Sequence, residues 1–440
     1  MTALLERRRF LGFSLTAAAG AIAPMACRTG GLARATVGVQ AAADEWSRVR
    51  ELFSLAPDRI HMTGLLLASH PAPVKDAIER HRRALDEDPV TYLEENGGRL
   101  EQEVRIAAAH YVGGDPDEIA LTDSTTMGLA LLYTALDLRP GDEVLTTEHD
   151  HYSTKTSLEN AAARTGAKIR RIPLYARSEA VSEEEIVGAI SRAMTARTRV
   201  VAVTWVHSGT GVRLPIAHIA AAIARANAGR DEKDRVLLCV DGVHGFGSAE
   251  DSVSQLNCDF FVAGCHKWIF GPRGTGLVWG RAAAWPAVRP TIPPFNMVPG
   301  KIPGRDTRTP PALGRAITPG GFHSFEHRWA LAQAFELHER LGRDRVAARI
   351  HALNRQLKEG LARMPNVKLY TPQSDTLSAG IVCFDVAGLS PDAVVAKLGQ
   401  KRIIASQTPY ETTYARLTPG LLNSPQEVDT ALRAIREIGA

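Results

Sequence analysis

Cysteine is scarce in this chain, with five in 440 residues. Cys27 lies in the N-terminal leader, and Cys239, Cys258, Cys265 and Cys383 sit in or beside apolar runs, the usual setting of buried thiols. That excludes a disulfide framework for a chain of this length. No pair has metal-ligand spacing, so no structural zinc or other metal site is expected. An excess of charge is missing too. The formal net charge is +4, yet residues 1–35 hold Arg7, Arg8, Arg9, Arg28 and Arg34 against the single acid Glu6, which leaves the remainder close to neutral. Without a basic face to neutralise phosphates, nucleic-acid binding is excluded. The apolar run near the N-terminus is too short, and too rich in Ala and Gly, for a membrane anchor. No internal repeat or low-complexity tract occurs beyond the leader. What is present, 45% hydrophobic and 23% charged residues, suits a soluble globular enzyme with a large core and two to three domains.

The leader ERRRFLGFSLTAAAGAIAPMA combines a basic start with that apolar run, the pattern of a targeting segment. Arg7-Arg8-Arg9-Phe10-Leu11 resembles a twin-arginine export signal, which implies a protein that folds before it crosses to the periplasm or beyond. Cleavage is expected after Ala33-Arg34-Ala35 or at the alanines 41–43. A lipid anchor on Cys27 is the alternative, with Pro24-Met25 a poor lead-in.

From Glu118 onward short apolar runs alternate with amphipathic segments. Strands are predicted at Glu118–Thr122, Glu143–Thr147, Lys168–Leu174, Arg199–Val206, Val236–Asp241, Asp259–Gly264 and Gly276–Gly280, with helices at Thr126–Leu136, Ser153–Thr165, Glu183–Met194 and Ile216–Ala228 between them. This alternation predicts an α/β fold with a mostly parallel sheet, helices on both faces, and function in the loops that follow the strands. Upstream, helical periodicity covers Val74–Leu85 and Arg99–Tyr111, with Glu94–Arg99 (ENGGR) as a loop. Ala287–Gly321 is dense in Pro and Gly and is expected to be a functional loop. Helices at Ser324–Leu341 and Arg345–Arg363 lead into a small α+β C-terminal domain. The expected divisions are a leader at 1–43, a large domain at 44–300, and an interface loop with the small domain at 301–440.

Two stretches concentrate the chemistry. In DFFVAGCHKWIFGPRGTG, Asp259–Gly276, an apolar strand ends at His266-Lys267 before a Gly-, Pro- and Arg-rich turn. A lysine held in an apolar site titrates below its free value and becomes nucleophilic toward carbonyls. Taken alone, Lys267 also fits a lysine that ends a strand and points to solvent. In VLLCVDGVHGFG, Val236–Gly247, a buried strand ends in Asp241 with His244 three residues on. An Asp at a strand end often only caps a turn, and a strand-end His is often satisfied by backbone.

The DxxH of Asp241–His244 together with the His266-Lys267 pair 26 residues after Asp241 resembles the class V aminotransferase family of fold-type I pyridoxal-phosphate enzymes, and within it the isopenicillin N epimerase-like branch. The resemblance runs from about residue 59. It implies that Lys267 forms an aldimine with pyridoxal 5'-phosphate, that Asp241 keeps the pyridine nitrogen protonated so that the ring accepts carbanion electrons, and that His244 approaches the phenolic oxygen. By the same resemblance Ser124, Thr125 and Thr126, at a helix N-terminus after a strand, bind the phosphate, although such a cluster is more often an ordinary cap. In TTEHDHYS a ring stacks on the cofactor; His149 matches best and Tyr152 is the alternative. Ser208 stands where relatives carry an Asn, and His266 matches a phosphate contact, while Gly264 replaces a phosphate-binding Ser of many relatives. The loop Thr318–His327 matches one that reaches the neighbouring subunit's phosphate, which implies a homodimer with shared sites. Arg416, ahead of Asn423–Asp429, matches the arginine that binds a substrate carboxylate with two parallel hydrogen bonds.

The family transaminates, epimerises, eliminates and desulfurates, so resemblance alone leaves the reaction open. Desulfurases of the group carry a nucleophilic Cys on the loop before the C-terminal Arg, and Gly399–Ala415 contains none. The expectation is an exported enzyme acting on the amino group of an amino acid or amino-acid-derived metabolite, as aminotransferase or epimerase, with a carbon–sulfur or other β-lyase as the alternative. The exported location is similar to that of the family's periplasmic pyoverdine-modifying member, which implies a peptide-like substrate. A non-catalytic binding protein has no need of Lys267, Asp241 and Arg416 together.

Overall fold

Strand β5 (Thr198–Thr204) buries Val200 and Ala202 on one side and Val201 and Val203 on the other, which places it in the middle of a sheet covered on both faces. The computed structural model describes residues 45–295 and 313–439. The leader, with its arginines and Cys27, and much of the expected interface loop lie outside the described residues. The described chain from Trp46 onward forms one compact unit.

Its main sheet has seven strands in the order β2-β8-β7-β6-β5-β3-β4, with β2 at Ile119–Thr122, β3 at Glu143–Thr147, β4 at Lys168–Ile172, β6 at Leu237–Asp241, β7 at Phe260–Gly264 and β8 at Gly276–Gly280. Neighbours from β4 through β7 are parallel, and β8 runs antiparallel to both β7 and β2. The chain therefore leaves β2, β3, β5, β6 and β7 at one common edge. β4, KIRRI, is the outer strand, and its exposed charges blunt an otherwise open edge.

Helices α1 (Ala72–Glu87), α2 (Pro89–Val112), α3 (Thr125–Ala135), α4 (Tyr152–Thr165), α5 (Glu183–Ala193) and α6 (Ile216–Asn227) follow in chain order. Leu129, Leu132 and Leu158 from α3 and α4 pack on Ala202, Phe260 and Val262. Ile186, Ile190 and Ile219 from α5 and α6 pack with Val201, Val203 and Phe261 on the opposite face. Each such apolar side chain removed from water contributes about 1.5–3 kcal/mol, so this double cover holds the edge on which the site is built.

The Glu94–Arg99 loop does not form: α2 runs through Gly97 and Gly98 without a break. Two interior glycines cost about 1 kcal/mol each against alanine. Burial of Leu100, Val104, Ala108 and Tyr111 outweighs that. A short helix, α7 (Leu313–Ile317), forms within the segment expected to lack structure. Long helices α8 (Phe325–Leu341) and α9 (Arg343–Ala362) follow.

The C-terminal part carries a four-stranded antiparallel sheet, β12-β13-β10-β9, from Val367–Leu369 (β9), Val382–Val386 (β10), Ser406–Gln407 (β12) and Ala415–Leu417 (β13). Its core is made with α9, α10 (Pro391–Gln400) and α11 (Pro425–Ile438). The extended segment before α1 is fastened to this part, because β1 (Ile60–His61) pairs in parallel with β11 (Ile403–Ile404).

Candidate active site

A cavity of about 230 Å³ opens at the common strand edge, and Ser124, Thr125, Thr126, His149, Ser208, Asp241, His244, His266, Lys267 and Arg416 all line it. These are the ten residues singled out in the sequence, and they arrive from five different strand ends and from β13. The other stacking candidate, Tyr152, is 60% exposed and lies against His151 instead.

Lys267 enters on the loop after β7. Burial pushes its amine down to about 8, the Asp241 carboxylate pulls it up, and the Arg416 guanidinium pushes it down again. A large fraction is therefore uncharged at mildly alkaline pH, as a nucleophilic amine requires. Asp241, at the end of β6, shows the opposite shift. Burial raises its carboxyl to about 7, against the lowering effects of the Val243 N–H and of Lys267. A buried carboxylate with one backbone donor is short of cationic partners.

At the end of β2, the Ser124 hydroxyl accepts the Met127 N–H at 3.2 Å and caps α3. The first-turn amides of Thr125 and Thr126 precede the intrahelical ladder, at a helix N-terminus that lines the cavity. Thr125 Oγ1 accepts the Gly264 N–H at 2.7 Å. A Cβ on Gly264 would stand 3.0 Å from that oxygen and from the His266 ring, so a larger residue there would crowd both side chains. His266 Nδ1 is buried without a partner, another donor or acceptor available to a bound group.

The segment after β3 brings two imidazoles. His149 stacks on Tyr175 at 4.1 Å and 13°. Its Nε2 accepts the Leu174 N–H at 3.2 Å, so the neutral ring carries its proton on Nδ1. Burial, with His207 nearby, holds it down to about 3. His151 was not singled out in the sequence, yet it lines the same cavity. Its Nδ1 accepts the Ser153 N–H and caps α4. Burial lowers it to about 4, with Lys267 and Arg416 as the leading charges acting on it. Asp150 locks the segment, accepting from Thr146 at 2.8 Å and from the amides of Thr147 and Thr204 at 2.8 and 2.9 Å. An acid two residues before a helix was the sequence signal for this anchor.

His244 is fully buried, 3.5 Å from the Trp268 indole nitrogen, and held well below its ordinary value by burial and then by Lys267. Arg416, on β13, is 2% exposed. It donates to Ser208 O at 2.8 Å, Ser406 Oγ at 3.1 Å and Gln407 O at 3.1 Å. Among the described residues none of these acceptors is a carboxylate, so the cation awaits an anion. Tyr410, between β12 and β13, also lines the cavity, with its hydroxyl on that of Ser208. Among the described residues no group of side chains suits a metal ion.

The arrangement fits pyridoxal phosphate: phosphate at Ser124–Thr126 and His266, pyridine nitrogen at Asp241, amine at Lys267. Comparison with known proteins agrees. The aminotransferase class-V family model matches residues 81–409. The chain is 28% identical to the isopenicillin N epimerase of Streptomyces clavuligerus, over 86% of this chain and 92% of that one. It is 25% identical to a probable cysteine desulfurase of Vibrio cholerae, over 76% and 81%. Among solved structures, a C-DES mutant with glycine covalently linked to the PLP cofactor superposes with a TM-score of 0.80 at 23% identity, covering 88% of this chain and 99% of that chain. The apo cysteine desulfurase of Thermococcus onnurineus NA1 gives 0.75 at 22%, covering 89% and 97%.

Proposed function

Because the chain belongs to the aminotransferase class-V family and has the fold-type I architecture of pyridoxal-phosphate enzymes, we propose that it moves the α-proton of an α-amino acid or a peptide-like derivative, as an epimerase or aminotransferase. The observation that carries this reading is Arg416, a buried cation without a carboxylate partner among the described residues, on the same cavity as Lys267. A buried unpaired charge is costly, and a substrate α-carboxylate offsets that cost with two parallel hydrogen bonds. The cofactor, when bound, supplies the electron sink for the α-carbon. Lys267 holds the cofactor and then handles the α-proton, Asp241 holds the proton on the pyridine nitrogen, and the neutral His151 ring flanks the reacting face beside His149.

A desulfurase reading has little support. No cysteine lines the cavity, and Cys383, opposite Arg416 in the β10–β13 pair, is a buried thiol pushed up to about 12. Thiolate, the nucleophilic form, is scarce in such a group.

Export is part of the proposal, on the strength of Arg7-Arg8-Arg9 ahead of an apolar run. So is a homodimer: Phe322 is 81% exposed and edge-packed with Phe295 and Phe325, an apolar patch that a second copy would cover. Light scattering of the purified protein tests the dimer, and fractionation of cells tests export. For the reaction, a panel of amino acids and short peptides is scored for conversion of the cofactor to its amine form. Conversion supports transamination; stereochemical inversion without conversion supports epimerisation; ammonia and keto acid without an amino acceptor would establish the β-lyase instead.

A further inference from the structure

Tyr410 stands on the wall of the cavity that the strand ends do not build. Its ring lies against Gly209, where an added Cβ would meet Tyr410 Cε2 at 3.1 Å, so a larger residue at 209 would displace the phenol. Its hydroxyl meets the Ser208 hydroxyl at 2.5 Å. Arg416 ties both supports together, donating to the carbonyl of Ser208 at 2.8 Å and to that of Gln407, three residues before Tyr410, at 3.1 Å. The phenol is thereby fixed beside the guanidinium assigned to the substrate carboxylate, and the α-carbon is one bond from that carboxylate. Lys267 reaches the same cavity from the loop after β7, a separate element. Asp241 and Arg416 act electrostatically on both groups.

We propose that Tyr410 is a catalytic acid–base residue that works with Lys267 across the α-carbon, so that the amino acid leaves with inverted configuration; this rests on the α-proton reading above and selects epimerisation within it. With the cofactor bound as electron sink, Lys267 Nζ takes the α-proton as the C–H bond breaks and becomes an ammonium. The Tyr410 O–H bond breaks, its proton forms the new C–H bond on the other side, and the phenolate accepts a hydrogen bond from Ser208. Exchange with water then returns a proton to the phenolate and removes one from the ammonium. No oxidant, reductant or amino acceptor is consumed. Burial pushes the phenol up to about 12, while Ser208 and Arg416 pull it down, so it enters the step protonated and its anion is supported once formed.

The test uses the full-length chain loaded with pyridoxal phosphate in D2O, with L-alanine, L-glutamate and a γ-glutamyl dipeptide as probes. Deuterium entering the α-position of the L form and the appearance of the D form are followed separately. In Tyr410→Phe, exchange into the L form is expected to stay within about threefold of wild type while inversion falls by about 10²–10⁴-fold. Cofactor absorbance is expected to be unchanged. In the cofactor-free chain, the phenolate absorbance that Tyr410→Phe removes is expected to titrate at higher pH in Ser208→Ala, because the Ser208 hydroxyl supports the phenolate; the separation of exchange from inversion is the readout that a structural role would not give. Inversion undiminished in Tyr410→Phe overturns the role of Tyr410 and leaves the α-proton reading standing. Parallel loss of exchange and inversion overturns it as well, by making the phenol a support. Wild-type exchange without any D form overturns epimerisation, and wild-type protein that exchanges no probe overturns the α-proton reading with it.

Discussion

The two walls of the cavity are held by different means. One hangs on the ends of β2, β3, β5, β6 and β7, strands of four to seven residues buried almost throughout and hydrogen-bonded along their length. The other hangs on β12 and β13, of two and three residues, and is held by the side chain of Arg416 bonding to Ser208, Ser406 and Gln407. On the proposed function the first positions the groups for a cofactor of constant shape and the second those for a substrate, and a wall held by a few side-chain bonds can change its occupants without unsettling the sheet. Chemistry and specificity are therefore separable in this molecule, and substitutions on the two walls are expected to fail differently.

The largest effect is expected on the strand wall. Lys267→Ala should lower turnover by more than about 10⁴-fold, and borohydride should no longer fix the cofactor to the chain. A mass spectrum that still shows cofactor attached at that segment would remove Lys267 from its role. Asp241→Asn should retain cofactor but lose the charge beside the pyridine nitrogen, with kcat down about 10²–10³-fold, read by steady-state kinetics. On the other wall, Arg416→Lys keeps the charge and loses the fork, so KM should rise about 10- to 100-fold with kcat changed less, since a hydrogen bond to a charged group contributes about 1.5–3 kcal/mol. If kcat and KM move in the same way on both walls, the separation fails.

The smallest effect is on stability in acid. His149 and His207 are held down to about 3 and His151 to about 4, chiefly by burial. Below pH 6.5 the unfolded chain binds protons that these folded rings do not, so stability falls as pH falls, by about 2 kcal/mol each for His149 and His207 at pH 5 and by less for the more exposed His151. Asp241, raised to about 7, acts in the opposite sense below pH 7 and offsets about one ring. The net sign is loss in acid: Tm should be lower at pH 5 than at pH 7. The drop should shrink in His207→Asn, whose ring bonds Tyr175 at 2.9 Å and leaves Nε2 without a partner.

The strand wall was readable because its strands are spelled as contiguous apolar runs that end in the residues that matter: FFVAG before His266-Lys267, LLCVD at Asp241. The order of the strands was not readable, since it depends on pairings between segments far apart in sequence. Glu94–Arg99 misled because glycine pairs signal loops, and the burial of Leu100, Val104, Ala108 and Tyr111 on the same helix overrides that signal. His151 went unmarked because the resemblance picked out His149 and Tyr152 in that loop, and the cap that His151 makes on α4 shows only in the fold. Tyr410 gave no signal at all, since an aromatic in a polar loop matches no periodicity.

By itself the sequence pointed to the kind of chemistry, because Asp241–His244 and His266-Lys267, each at the end of a contiguous apolar run, together resemble the motifs of one family, although neither stretch alone excludes an ordinary strand end. Arg416 was already marked in the sequence by its resemblance to the family's carboxylate-binding arginine; the tertiary structure alone decided how it meets Ser208 and that Tyr410 joins it. Arg416 and Tyr410 lie more than 140 residues after Lys267, and they reach the cavity only because the small sheet docks beside the strand edge and Arg416 bonds across to Ser208. Contacts of that range are set by packing and by satisfying a buried cation, which no stretch of the chain encodes alone.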